Sequence, residues 1–227
     1  MDRLHRSRLL FGDTGIQKLQ QSTVMVVGCG AVGSFAIEAL ARTGIGNIIV
    51  VDFDKVEESN INRQIFATSS TIGMPKVDVA EQRIHDICPD INVVKINTFW
   101  DNATDIDLCP DFVVDAIDSV DSKIALYQWC TERGIPFISS MGAALKTDIS
   151  QIKVVPISKT CVCPLASRIR RLVRENNIPE FPAVFSTQTP CADAMPGRNL
   201  GSLITVTGAF GLYMADYAIK YLIENAE

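Results

Sequence analysis

The stretch Thr23–Gly33, TVMVVGCGAVG, decides which fold the sequence predicts. Its first part, Thr23–Gly28, is a short run dominated by valine, which is typical of a buried β-strand. The apolar residues of Val32–Arg42 then recur at helical spacing. Because a strand that leads through glycines into a helix is the first half of a βαβ unit, we expect a nucleotide-binding fold.

The turn between this strand and this helix has the spacing G-x-G-x-x-G. Glycine lets the backbone turn sharply and approach a phosphate closely, and the helix N-terminus adds free N–H groups and a positive dipole. The alternative is that the glycines only pack the helix on the strand. NAD and ATP both fit such a loop. The residues that we expect against the nucleotide are Gly28, Gly30, Ala31 and Gly33.

Outward from this unit, strands alternate with helices as far as Met141. This alternation predicts an α/β fold with a doubly wound, mainly parallel Rossmann-like sheet and right-handed crossovers. The further predicted strands are Asn47–Asp52, Asn92–Asn97, Phe112–Asp115 and Phe137–Met141. The further predicted helices are Lys76–Cys88 and Val120–Arg133.

The pattern changes after Met141, where we expect a C-terminal extension of strands and helices that binds substrate and packs on the core. It is predicted to contain a strand Ile152–Pro156, a basic helix Leu165–Glu175, a proline-rich loop region Asn176–Pro196 and a long apolar helix Gly201–Glu224. No linker divides the chain. We therefore expect a single domain over residues 1–227, with a nucleotide-binding core at 1–141 and the extension at 142–227.

The composition narrows the functional classes. The 227 residues carry a net charge of -5, so any nucleic-acid binding needs a local basic patch. Seven cysteines without a signal peptide predict a reducing, cytoplasmic environment. The longest apolar stretch, Gly201–Tyr213, is too short to span a membrane, and no membrane contact is expected.

The second predicted strand is followed by more polar groups than a dehydrogenase needs. Asp52 can accept hydrogen bonds from ribose hydroxyls, and one acidic residue suffices for NAD. Asp54, Asn60, Arg63 and Lys76 come in addition. Because lysine and arginine neutralise the charge of β- and γ-phosphates, this surplus favours a triphosphate site. A solvated loop is the alternative.

A second acidic cluster, DAIDSVDSK at residues 115–123, follows the fourth predicted strand. It lies at the carboxyl end of the sheet, where open α/β folds bind ligands. Asp118 is expected to face the cleft and to hold Mg²⁺ against the phosphates, with a loop cap as the alternative. Asp121 is expected to cap the next helix.

Taken together, these motifs resemble the ThiF/MoeB/HesA family, the adenylating relatives of ubiquitin-activating enzymes. The marks between Arg6 and about Ser140 are GCGAVGS, VDFD, SNINRQ, GMPK and DAIDS. The stretches EALARTGIG, VFST and GSLITVTGAFG extend the resemblance over nearly the whole chain, and they are most similar to members that modify tRNA.

This resemblance implies a reaction in which a carboxylate attacks the α-phosphate of ATP·Mg²⁺ and releases pyrophosphate. In the tRNA-modifying branch, the carboxylate belongs to the threonyl group of threonylcarbamoyladenosine, and the carbamoyl group then closes a ring with net loss of water. A family alternative is adenylation of the C-terminus of a ubiquitin-like sulfur-carrier protein, which would bring a carrier or sulfur-transfer partner. A non-catalytic nucleotide-binding module is a third hypothesis.

The resemblance also assigns roles to single residues. Asn60, Arg63 and Lys76 would bind the phosphates, Asp52 the ribose and Asp118 the magnesium. The family forms homodimers in which an N-terminal arginine enters the partner's site. That arginine would be Arg6, with Arg8 as a near alternative.

The cysteines depart from the family pattern. Many sulfur-carrier activators hold zinc with two C-x-x-C pairs, which this sequence lacks, so zinc is not expected. Cys161 and Cys163 form C-x-C, and Cys163 stands where the resembling members usually have an aspartate. Cys191 stands where thioester-forming relatives place a catalytic thiol. The roles of these three cysteines stay open.

The helix predicted at Leu165–Glu175 is strongly basic for an acidic protein. Four arginines within seven residues could contact a phosphate backbone, and a solvated helix face is the equal alternative. A tRNA substrate would favour the first interpretation. The arginines are Arg168, Arg170, Arg171 and Arg174.

Overall fold

The structure, a computed structural model, describes residues 2–104, 106–191 and 200–225. Its helices are α1 (His5–Gln21), α2 (Gly33–Thr43), α3 (Lys76–Ile87), α4 (Val120–Glu132), α5 (Pro164–Glu175) and α6 (Ile204–Asn225). Its strands are β1 (Thr23–Val27), β2 (Asn47–Val51), β3 (Asn92–Ile96), β4 (Phe112–Asp115), β5 (Phe137–Ser140), β6 (Ile152–Pro156) and β7 (Pro182–Ser186).

The strands form one seven-stranded sheet in the order β3-β2-β1-β4-β5-β7-β6. Neighbouring strands run parallel except β6 and β7, which pair antiparallel. The predicted doubly wound, mainly parallel α/β fold is therefore confirmed. The strand order changes direction between β1 and β4, and such sheets bind ligands at the carboxyl ends of the strands on either side of this point.

Each face of the sheet is covered by its own set of helices. In β1, Val24 and Val26 pack on the side of α2, α3 and α6, whereas Met25 and Val27 pack on the side of α4 and α5. This alternation follows from the two-residue period of a strand. Because both faces of β1 and β2 are buried, these parallel strands are nearly continuous apolar runs in the sequence.

Two elements were not foreseen in the sequence. The region Asn176–Pro196 was predicted to be a loop, which is wrong for Pro182–Ser186, because these residues form β7 between β5 and β6. Pro182 is the first residue of that strand, where a missing N–H is tolerated, so the proline did not exclude a strand. The second element is α1, which Gly12 interrupts with a φ of 69°.

The closing helix α6 lies directly against the glycine loop. It begins at Ile204, three residues later than predicted. A Cβ atom added to Gly211 would lie 2.3 Å from the backbone oxygen of Val32, so the two segments touch backbone to backbone. At Gly208 the neighbour is a side chain, since an added Cβ atom would lie 3.0 Å from the ring of Phe35. No helix in the described part of the chain combines the length and apolar character that crossing a membrane requires.

A buried ionic network ties β4, α4 and β5 together. The Asp115 carboxylate accepts hydrogen bonds from Lys123 Nζ at 2.6 Å, from Ser139 Oγ at 2.6 Å and from the Tyr127 hydroxyl at 2.9 Å. The Lys123 and Asp115 side chains are both fully buried. Burial raises the pKa of the Tyr127 phenol well above its ordinary value, and the neighbouring carboxylate adds to this effect. The network therefore holds one charged pair and a neutral phenol.

Replacement of Lys123 by methionine tests this network. The Lys123→Met variant leaves the Asp115 carboxylate buried without its cation, so we expect the free energy of unfolding to fall by about 3–5 kcal/mol in urea titrations. The matched double variant, Asp115→Asn with Lys123→Met, removes both charges and should be less destabilised than the single variant by roughly 2 kcal/mol. Equal stability of the two variants would contradict a charge effect.

Candidate nucleotide-binding site

The glycine loop connects β1 to α2 at the carboxyl edge of the sheet, and packing explains two of its glycines. Gly28 has a φ of 97°, and a Cβ there would lie 2.7 Å from the backbone oxygen of Ala116. A Cβ on Gly33 would lie 1.7 Å from the backbone oxygen of Gly28. At both positions glycine is therefore required by close packing, as the alternative interpretation expected. Close packing is compatible with phosphate binding, because it determines the shape of the loop whose N–H groups would meet the phosphate.

Gly30 differs from its two neighbours. The nearest atom to a Cβ built on Gly30 is Nε2 of Gln64, at 3.8 Å. The protein itself therefore does not require glycine at this position, and the space beside it is open to a ligand. Ala31 follows at the entry to α2 and is half-buried. Gln64 is buried beside the loop, and the sequence interpretation had not given it a role.

Asp52 braces the glycine loop from the end of β2. One carboxylate oxygen accepts a hydrogen bond from the backbone N–H of Cys29 at 2.6 Å, and the other accepts one from the N–H of Asp54 at 2.9 Å. The side chain is buried, so its orientation is fixed before a ligand arrives. Burial raises the pKa of the Cys29 thiol well above its ordinary value, and the Asp52 carboxylate adds to this effect, so Cys29 stays a neutral thiol.

Asp54 and Lys76 form an ion pair at the mouth of the site. Lys76 Nζ lies 2.7 Å from Asp54 Oδ2, and the Lys76 N–H donates to the backbone oxygen of Asp54 at 2.9 Å. The chain is also pinned here by the bridge between Lys55 and Pro75. Asp54 thus contacts Lys76, which is predicted to bind the phosphates.

Asn60 and Arg63 lie on the segment that follows β2. Asn60 is buried, and its Oδ1 accepts a hydrogen bond from the N–H of Glu57, so it caps a short helical turn. Arg63 donates from Nη1 to the backbone oxygen of Ser59 at 2.7 Å and to Oδ1 of Asn62 at 2.8 Å. Among the described residues no carboxylate pairs with Arg63, so its charge remains available to an anion.

Asp118 lies on the loop after β4 and is exposed, without a hydrogen bond or ion pair in the described part of the chain. Ser119 precedes the first residue of α4, and Asp121 lies in the helix's first turn, so the expectation that Asp121 caps the helix is wrong. No group of three or more His, Cys, Asp or Glu that could hold a metal occurs in the described residues. Mg²⁺ commonly takes one or two carboxylates together with phosphates and water, so the free Asp118 carboxylate fits it.

The two N-terminal arginines differ in their contacts. Arg8 lies 3.1 Å from Asp2 and 2.7 Å from Asp13, and these carboxylates raise the pKa of its guanidinium. Arg6 is exposed in the first turns of α1, and no carboxylate of the described residues pairs with it. Of the two arginines, only Arg6 therefore lacks a carboxylate partner in the described part of the chain.

The four arginines of α5 are not equivalent. The helix buries Ala166, Ile169 and Val173. Arg170 lies at the border of the buried face. Its Nη1 donates hydrogen bonds to the backbone oxygen of Thr160 at 2.8 Å and to Oγ1 of the same residue at 2.6 Å. These contacts hold the loop that precedes the helix. The arginines that remain exposed on the outer face are Arg168, Arg171 and Arg174.

This chain is similar in sequence and in fold to several known proteins. The ThiF family model matches residues 4–227. A tRNA threonylcarbamoyladenosine dehydratase of Bacillus subtilis is 44% identical over 82% of this chain and 74% of its own length. One of Haemophilus influenzae is 33% identical over 95% of this chain and 91% of its own length. The E. coli enzyme of that name, TcdA, solved in complex with ATP, superposes with a TM-score of 0.91 at 34% identity, over 99% of this chain and 95% of that chain.

The family model covers almost the complete chain, and the relatives match it over most of their own length. The glycine loop, the braced Asp52 and the Asp54–Lys76 pair lie together at one edge of the sheet. This chain therefore belongs to the ThiF family.

Proposed function

We propose that this protein uses ATP to adenylate the threonyl carboxylate of threonylcarbamoyladenosine in tRNA, after which the carbamoyl group closes a ring with net loss of water. The similarity to enzymes named for this dehydration supports the substrate. The observation that carries the proposal is the set of cations at the glycine loop. The charge of Lys76 acts on Cys29 of the loop, and Arg63 directly precedes Gln64, which lies beside Gly30. Two such cations suit a triphosphate better than a dinucleotide.

In this proposal each side chain acts on one part of ATP. The N–H groups of the glycine loop and of the α2 N-terminus bind phosphate oxygens, Asp52 accepts from the ribose hydroxyls, and Arg63 and Lys76 stabilise the negative charge that develops on the phosphates. Asp118 would hold Mg²⁺, which supplies further charge neutralisation when it is bound.

The chemistry needs no protein nucleophile. The threonyl carboxylate attacks the α-phosphorus, and pyrophosphate leaves. The carbamoyl group then attacks the activated carbonyl carbon within the same nucleoside, and AMP leaves with the carboxylate oxygen. Because both bonds form between substrate groups, the protein's task is to position them and to stabilise charge.

We further infer that the chain is a single adenylating domain, since β6 and β7 of residues 142–227 extend the same sheet as the core. Two copies would form a homodimer with shared sites. Support for this comes from the exposed Arg6, which lies on α1 with no carboxylate partner among the described residues.

Nucleoside mass spectrometry tests the proposed function. tRNA that carries threonylcarbamoyladenosine, incubated with ATP and the protein, should show a product lighter by one water, and Asp118→Ala should reduce its rate at least about a hundredfold because a charge-stabilising ligand is lost. The control Asp121→Ala removes a neighbouring exposed carboxylate and should keep near-normal turnover. An unchanged nucleoside together with adenylation of a carrier-protein C-terminus would replace this function by the family alternative.

Subunit mixing tests the shared site. Arg6→Ala and Asp118→Ala should each be inactive alone. After subunit exchange, half of the dimers combine one copy of each variant and hold one intact site, so activity should return to about a quarter of wild type. As a control, Arg6→Ala mixed with a variant that carries both changes should stay inactive. If the first mixture also stays inactive, Arg6 does not act in the partner's site.

The arginine face of α5 makes a prediction for tRNA binding. Each phosphate contact contributes about 0.7–0.9 to the slope of log affinity against log salt, so Arg168→Ala with Arg171→Ala should weaken binding and flatten that slope by roughly 1 to 2 units. The matched control is Arg42→Ala with Lys220→Ala, two exposed cations on α2 and α6, on the other side of the sheet. If both double variants weaken binding equally, the effect comes from the net charge of the protein. If the α5 double variant has no effect, its arginines do not bind tRNA.

A further inference from the structure

Three cysteines to which the adenylation chemistry gives no role come together around the segment that follows β5. Cys163 precedes α5, and its Sγ accepts a hydrogen bond from the N–H of Ala166 at 3.5 Å. A Cβ on Gly142 would lie 3.1 Å from the same sulfur. Cys191 donates from Sγ to the backbone oxygen of Leu145 at 3.2 Å. Residues far apart in the sequence therefore bring their thiols to one place.

Lys146 supplies a positive charge in the middle of this group. Its side chain is 3% exposed, and its ammonium group donates to the backbone oxygen of Gln188. Burial lowers the pKa of Lys146, whereas Cys163, Cys191 and Cys161 would raise it as thiolates. No carboxylate pairs with Lys146 in the part of the chain that the structure describes, in contrast to the two other buried lysines, Lys76 and Lys123. Reactive cysteines in proteins commonly lie beside a cation.

The C-x-C turn has an unusual backbone. The N–H of Cys163 donates to the backbone oxygen of Cys161 at 2.6 Å, and Val162 between them has a φ of 60°. A β-branched residue rarely adopts this left-handed conformation, and such outliers gather at functional sites. Leu145, beside Lys146, has a φ of 59°. The hydrogen bond holds Cys161 and Cys163 at the two ends of one tight turn.

We propose that Cys161 and Cys163 are a peroxide-reactive dithiol beside Lys146, which a hydroperoxide converts into a disulfide within the C-x-C turn. The exposed Cys161 sulfur attacks the peroxide oxygen, which gives a sulfenic acid and releases an alcohol, or water from hydrogen peroxide. The buried Cys163 sulfur then attacks the sulfenic sulfur, the S–S bond forms, and water leaves with the thiol proton. The two sulfurs lose two electrons, and the peroxide bond gains them. This modification site does not depend on the proposed adenylation.

Peptide mass spectrometry identifies the product. The protein is treated with a small excess of hydrogen peroxide, its remaining thiols are blocked with N-ethylmaleimide, and it is digested with trypsin. The peptide at residues 160–168 contains Cys161 and Cys163 and no other cysteine. We expect it to lose two hydrogen atoms and to carry no maleimide, and to regain both thiols with dithiothreitol. Two maleimides on this peptide after treatment, or a cross-link to the peptide that carries Cys191, would overturn the proposal.

The rate of oxidation tests the contribution of Lys146. Cys161 should be oxidised about tenfold or more faster than Cys109, which is exposed on the loop before β4. Lys146→Met should remove most of this difference, and the matched variant Lys146→Arg should keep it because the charge remains. Equal rates at Cys161 and Cys109 in the wild-type protein would contradict the proposal. If Lys146→Met does not fold by circular dichroism, the wild-type rates and the peptide assignment decide the question without it.

Discussion

The buried contact between Asp115 and Lys123 is the constraint on which the nucleotide edge of this protein depends. Asp115 is the last residue of β4, and its second oxygen accepts a hydrogen bond from the N–H of Ile117 at 3.1 Å. The same carboxylate therefore fixes the start of the loop that leads to Asp118. The backbone of Ala116 in that loop is the surface against which the glycine loop packs. Since the charged pair is fully buried, its partners cannot be exchanged for water without a large cost in free energy.

Around this anchor the charges fall into two classes. Asp115 and Asp52 are buried and satisfied by protein groups, so they shape the backbone. Arg63 and Asp118 have no partner of opposite charge among the described residues, so they are ready to meet a ligand's charges. A site that holds paired charges inside and unpaired charges at its rim is preorganised, which means that little reorganisation is needed when negative charge develops on the phosphates.

The same sheet separates two surfaces. Helix α6 packs on the glycine loop and supports the nucleotide edge from one face. Helix α5 covers the other face and points three arginines outward. Helix α5 follows the antiparallel strand β6, and its N-terminus lies near the carboxyl end of β5, because Cys163 contacts Gly142. The C-x-C turn directly precedes α5, and Cys163 is the residue before its first turn. A covalent change at these thiols would therefore alter the N-terminus of the basic helix first.

The sequence by itself determined the fold class, the position of the glycine loop and the family. These depend on local patterns, namely apolar runs, the spacing of glycines and an acidic residue, Asp52, directly after β2. It gave no sign that Arg8 pairs with Asp2 and Asp13, because these ion pairs depend on the three-dimensional course of the chain.

Tertiary structure alone decided other features. The strand β7 was missed because its stability comes from two neighbours that are distant in sequence, β5 and β6, and not from its own proline-flanked residues. The sequence likewise did not distinguish the four arginines of α5. Only the folded structure shows that Arg170 donates a hydrogen bond to Thr160. Only folding brought Lys146 beside three cysteines, since a contact between residues far apart along the chain leaves no periodic signal in the sequence that could predict it.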